Sequence, residues 1–113
     1  MTAQRAFDLE TLRSRRAASE SAYLEFLRVQ TLSVGLYELP AGGVDPQGPH
    51  TEDEVYIVMS GEAILRIGSD EHPVSAGSVV FVEAGIEHRF VEILADLSVV
   101  VLFAPPEGSA ARS

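Results

Sequence analysis

Cysteine, lysine and tryptophan are all absent from this 113-residue sequence. Without cysteine there is no disulfide framework, no thiolate metal site and no thiol nucleophile. Without lysine there is no Schiff-base chemistry. Positive charge is scarce: 8 arginines stand against 17 acidic residues, for a formal net charge of −9 at pH 7. A basic face that neutralises phosphates is missing, so neither nucleic acid nor an anionic membrane surface is expected as a partner. The one basic knot, Arg13, Arg15 and Arg16, reads as a solvated helix face. No run approaches the roughly 18 apolar residues of a membrane span. The N-terminus, with Arg5, Asp8 and Glu10, lacks the apolar core of a signal peptide, and the chain is expected in the cytoplasm.

What is present suits one domain. The chain is 46% hydrophobic, and at this length about 65% of the unfolded surface can be buried around a single core. Asp8 offers a helix N-cap, with Leu9 and Leu12 at helical spacing, and Ala17 to Ser21 reads as a connector. From Tyr23 onward short β-rich runs dominate: Tyr23 to Val29, then Thr31 to Leu39, closed by Pro40-Ala41-Gly42-Gly43. Val44 to Pro49 holds two prolines and must be an irregular loop. Glu54 to Met59 and Ala63 to Ile67 read as a hairpin about Ser60-Gly61. Runs at Ser78 to Val82, His88 to Leu94 and Leu97 to Phe103 continue the rhythm. This density of strands predicts an all-β sandwich or small barrel. Residues 1–22 form the helix and connector, 23–105 the barrel and 106–113 a flexible tail.

His50 and His88 each follow a Pro- or Gly-containing loop at the head of a strand. In an extended chain Glu52 and Glu54 share the parity of His50, which puts both carboxylates and the imidazole on one face. Two histidines with one carboxylate form the facial set that binds Zn, Mn, Fe(II), Ni or Co and leaves positions open. The same residues also read as a polar loop residue, a solvated acidic edge and a strand-entry histidine. Tyr56 and Val58 share the parity of Glu54 and should face inward. Tyr23, Phe26, Phe81, Phe90 and Phe103 are assigned to core or interface, and His72 has no assigned role.

Gly43, the loop, His50, Glu54 and Gly61 resemble the first motif of the cupin superfamily, Gly-x5-His-x-His-x3-4-Glu-x6-Gly. Gly77, Glu83, Gly85 and His88 resemble the second, Gly-x5-Pro-x-Gly-x2-His-x3-Asn, 15 residues further on. The chain is therefore similar to the small single-domain, RmlC-like cupins. That resemblance implies an all-β fold, a double-stranded β-helix (jelly-roll) barrel with a short N-terminal helix. It also implies a divalent metal (Zn, Mn, Fe, Ni or Co) held inside by His50, Glu54 and His88, and turns at Gly61, Gly77 and Gly85. Three positions depart from the pattern. Gly48 stands where the first ligand histidine is usual, and Gln47 beside it is the candidate replacement donor. Glu83 replaces a proline. Glu92 replaces an asparagine and, sharing parity with His88 and Phe90, is a candidate substrate contact together with Tyr56.

Three functional classes remain open at this point. The first is a metal-dependent enzyme acting on a small molecule, of dioxygenase or isomerase type. The second is a non-catalytic or metal-free cupin that binds a small metabolite or sugar. The third is an interaction module. The strand Tyr23 to Val29 and the helix before it could pack on a second subunit, so a homodimer is expected in any of the three.

Overall fold

The computed structural model describes residues 4–111. The ends of the N-terminal segment and of the tail, residues 1–3 and 112–113, lie outside the described residues. The elements are α1 (Leu9–Ser19), β1 (Tyr23–Arg28), β2 (Ser33–Leu39), β3 (Asp53–Ile67), β4 (Asp70–Ser75), β5 (Val79–Val82), β6 (His88–Ala104) and a terminal 3-10 turn (Ser109–Ala111). No helix among the described residues is long and apolar enough to cross a membrane.

Asp8 caps α1 by accepting the Thr11 backbone N–H, and Glu20, in the left-handed conformation, ends it. The helix runs further than the sequence suggests, because Ala17 and Ala18, read as connector, are good helix formers and nothing stops the helix before Glu20. Leu12 is buried beneath it, and Phe7 packs on Phe26 of β1 at 4.9 Å between ring centroids. Two members of the basic knot also have partners: Arg13 and Arg16 donate to the Glu38 carboxylate of β2 at 2.9 and 2.6 Å. That pairing replaces the expected solvated face, while Arg15 is exposed.

All strands pair antiparallel in the order β1-β2-β6-β3-β4, with β5 also on β3. β3 and β6 are long and pair from Asp53 opposite Ala104 to Ile67 opposite His88. The expected hairpin turn at Ser60-Gly61 and the break at Ala95-Asp96 are instead bends within these two continuous strands. Gly61 has φ 100°, and a Cβ there would collide with the Asp96 carbonyl oxygen. The two strands press together at this point, so the extra residues become bulges and the sheet folds over. The result is a jelly-roll β-barrel. Its inward faces bury Tyr56, Val58, Leu65, Phe90, Val99 and Val101 among others.

The tail, expected to fray, is tied across the barrel. The Glu107 N–H donates to the Ser33 hydroxyl at 2.9 Å, Arg28 donates to the Glu107 carbonyl at 3.1 Å, and the Ala110 N–H donates to the Glu52 carboxylate at 3.1 Å.

Glu38 supplies a test of how α1 is held. Burial works against its charged form, but Ser98, Arg16 and Arg13 together outweigh burial and lower its pKa from 4.5. A lowered carboxylate pKa contributes stability above the unfolded value and loses it as pH falls through the folded value. Glu38→Gln is expected to lower stability at pH 7 by about 1–2 kcal/mol. The gap between variant and parent should narrow in thermal melts as the pH falls below the unfolded value of about 4.5 and close once it is below the folded value. A gap independent of pH would contradict this role.

Candidate metal centre

The three motif residues arrive from separate elements. Glu54 is the second residue of β3, opposite Val82 of β5. His50 precedes β3 in the loop, and His88 opens β6 after the turn that follows β5. Backbone contacts hold these segments together: the Gly85 N–H donates to the His50 carbonyl at 2.7 Å, and the Ala84 N–H to the Asp53 carboxylate at 2.9 Å. The turn that delivers His88 is thus tied to the strand entry that delivers His50 and Glu54.

One donor atom from each of His50, Glu54 and His88 lies within 4.8 Å of the others. His88 Nε2 and Glu54 Oε2 are 2.9 Å apart, with both side chains 1% exposed. Despite that distance they are not aligned as a hydrogen bond, and both Glu54 oxygens and His88 Nε2 lack a hydrogen-bond partner. His88 Nδ1 is 2.9 Å from the Ile86 carbonyl oxygen, an acceptor, so Nδ1 carries the hydrogen and Nε2 of the neutral ring presents a lone pair inward. Burial opposes the charged imidazole, yet the Glu54 carboxylate, the Ile86 carbonyl and Asp45 outweigh it and raise the His88 pKa.

Gln47 stands beside this group. Its amide nitrogen donates to Asp45 at 2.8 Å and to the Tyr56 hydroxyl at 2.9 Å, which turns its oxygen toward His50 Nε2 at 3.1 Å. The amide orientation follows from those two donations. Asp45 is the organiser of the loop. Buried at 2% exposure, it accepts from the Tyr37 hydroxyl (2.6 Å), the Gln47 side chain and backbone N–H, and the Phe90 N–H (2.9 Å).

A cavity of about 130 Å³ adjoins the group. Its wall includes Gln47, His50 and Glu54, the apolar Val101 and Phe103, and Glu107 from the tail. All three tyrosines of the chain, Tyr23, Tyr37 and Tyr56, line it as well. Burial, reinforced by Glu54, holds the Tyr56 phenol protonated well above its ordinary range. Burial also pushes the Glu107 carboxyl up; His50 opposes this, and Glu25, Glu52 and Glu54 add to it.

His50, Glu54, His88, Gln47 and Tyr56 therefore lie together where the sequence reading placed them. Glu92 does not: it is exposed on the outer face. The register slips between Ile64 and Leu65, which pair with Glu92 and Phe90, so a bulge at Val91 reverses the parity that joined Glu92 to His88. Glu52 is buried, but toward Thr51 and the tail rather than the His50, Glu54 and His88 group. Three residues were missed. Asp45 is in a loop without periodicity, Glu107 in a tail without apolar pattern, and Tyr23 in a strand whose aromatics suit a core.

The cupin domain family matches residues 35–104. An uncharacterised protein of Streptomyces coelicolor is 52% identical over 103 residues, covering 91% of this chain and 98% of its own. A solved structure from Thermus thermophilus aligns with a TM-score of 0.70 over 91% of this chain and 99% of that one, at 23% identity. An RmlC-like cupin from Shewanella frigidimarina aligns at 0.67 over 74% of each chain, at 17% identity.

Replacing Asp45 tests the loop anchor. Asp45→Asn puts an NH2 group against donors that need an acceptor, and is expected to cost about 2–3 kcal/mol in urea unfolding. Tyr37→Phe, which removes one donor, should cost less. An Asp45→Asn variant within about 0.5 kcal/mol of the parent would remove Asp45 from this role.

Proposed function

The chain belongs to the cupin domain family, and from that premise we propose that it holds a divalent metal ion inside the barrel and binds or transforms a small molecule there. His50, Glu54 and His88 supply the ligands, and the Gln47 oxygen takes the place of the histidine that Gly48 lacks. One observation carries this reading: a buried carboxylate with both oxygens unpartnered faces a buried imidazole nitrogen that is also unpartnered. Uncompensated charge of that kind is costly, and a cation among the donors compensates it. Nitrogen and oxygen donors suit Zn, Mn, Fe, Ni or Co. When bound, such an ion polarises a coordinated oxygen and offers open positions, the basis of dioxygenase- or isomerase-type chemistry. The protein's own part is a small cavity with a largely apolar wall, with the Tyr56 phenol held in it as a protonated hydrogen-bonding group.

A second reading has its own support. His88 Nε2 lies 2.9 Å from Glu54 Oε2, close enough for a protonated imidazole to neutralise the carboxylate without metal and leave the barrel a metal-free metabolite or sugar binder.

Elemental analysis of tag-free protein beside His88→Ala separates the two. Near-stoichiometric metal in the parent, lost in the variant, is expected. Metal in neither, with no rise in melting temperature on adding Zn, Mn, Fe(II) or Ni, would favour the metal-free reading.

For the partner expected from the sequence, a second copy, we propose the outer face of the sheet. Leu27, Val34, Leu102, Val55 and Phe81 lie side by side across five strands, and Phe81 and Val79 are 54% and 67% exposed. Two chains of charge −9 repel elsewhere, so an uncharged row is where they can associate. Phe81→Glu is expected to convert a dimer to a monomer in light scattering; an unchanged mass would place the contact elsewhere.

A further inference from the structure

Tyr23 begins β1, opposite Tyr37 of β2. Its ring packs edge-on against Tyr37 and Phe103, at 6.2 and 6.4 Å between centroids. The tip of the ring lies diagonally over Gly35, where a Cβ would collide with the ring's outer carbon and hydroxyl oxygen. Only glycine at that position leaves room for the phenol. Gly35 is in register with Val101, and Val101 with Tyr56, so the Tyr23 hydroxyl sits on the row that forms the cavity wall.

The three cavity phenols differ in how they are satisfied. Tyr37 donates to Asp45, and Tyr56 accepts from Gln47. The Tyr23 hydroxyl is buried and has no hydrogen-bond partner. An unmet buried donor costs about 1–3 kcal/mol, yet it is kept over a glycine that makes space for it. Its O–H stays protonated, since burial, with Glu107, Glu25 and Glu54, pushes its pKa up. What this hydroxyl lacks is an acceptor oxygen arriving in the cavity.

Resting on the metal reading above, we infer that Tyr23 is a ligand-binding residue whose hydroxyl donates to a carboxylate oxygen of a small monocarboxylate bound in this cavity. The charge of the site selects that class. A divalent ion with open positions takes an oxygen donor, and Glu54 and Glu107 on the same wall together offset its two positive charges, so a second negative charge on the ligand is disfavoured. The volume of about 130 Å³ limits the ligand to a few heavy atoms.

The test uses the full-length protein loaded with cobalt(II), whose visible absorption reports the metal, and glycolate as the carboxylate. Tyr23→Phe keeps the ring and removes only the hydroxyl. It should leave the cobalt spectrum before glycolate unchanged, and the melting temperature unchanged or higher, because an unsatisfied buried group is gone. Its dissociation constant for glycolate should rise roughly 3- to 10-fold. Gly35→Ala, which displaces the phenol but retains it, should weaken glycolate similarly while still binding cobalt. Equal glycolate affinity in parent and Tyr23→Phe, or no response to glycolate in the parent, overturns the role of Tyr23 and leaves the metal reading standing. A parent that takes up no cobalt overturns the metal reading and this inference with it, and that outcome is visible before glycolate is added.

Discussion

The barrel keeps a carboxylate out of water and gives neither of its oxygens a hydrogen bond. Glu54 is 1% exposed, as is His88, whose Nε2 lies 2.9 Å away and out of line for donation. Stripping a carboxylate of water costs several kcal/mol unless a counter-charge is close. The architecture around Glu54 brings two imidazoles beside it in a defined place. The Ile86 carbonyl fixes the His88 ring, the Gly85–His50 bond draws together the two chain segments that carry the histidines, and the bends at Gly61 and Asp96 fold the sheet over.

Asp45 performs the same task for the loop. A buried carboxylate that accepts from two backbone N–H groups, a phenol and an amide is fully compensated, in contrast to Glu54. Through Gln47 it transmits that rigidity to the site, since an amide nitrogen anchored on Asp45 and Tyr56 leaves its oxygen one direction to face. One buried acid is satisfied by the protein and the other is left for something else, a difference that separates scaffold from site.

Much of this was legible in the sequence, for identifiable reasons. Alternation and turn residues marked most of the strands, and the motif spacing put His50, Glu54 and His88 together. Parity arguments held where strands were regular, as at Tyr56 and Val58, which are both buried. They failed at Glu92, because a bulge is a property of two strands in register and is invisible in one. The same limit turned the bends at Ser60-Gly61 and Ala95-Asp96 into supposed breaks. Tyr23 looks like core in the sequence because its special circumstance, a glycine diagonally beneath its ring 12 residues along the chain, exists only after β1 and β2 pair. The tail looked loose because its contacts with Ser33, Arg28 and Glu52 are remote in sequence and largely to backbone.

The most direct measurement of the central claim is an anomalous difference map from crystals grown with manganese. One strong peak is expected in the barrel, about 2.0–2.3 Å from the donor atoms of His50, Glu54 and His88. The same map shows whether the Gln47 oxygen completes the set. No peak at that position, with the Glu54 carboxylate and His88 imidazole drawn into an aligned hydrogen bond, would contradict the claim.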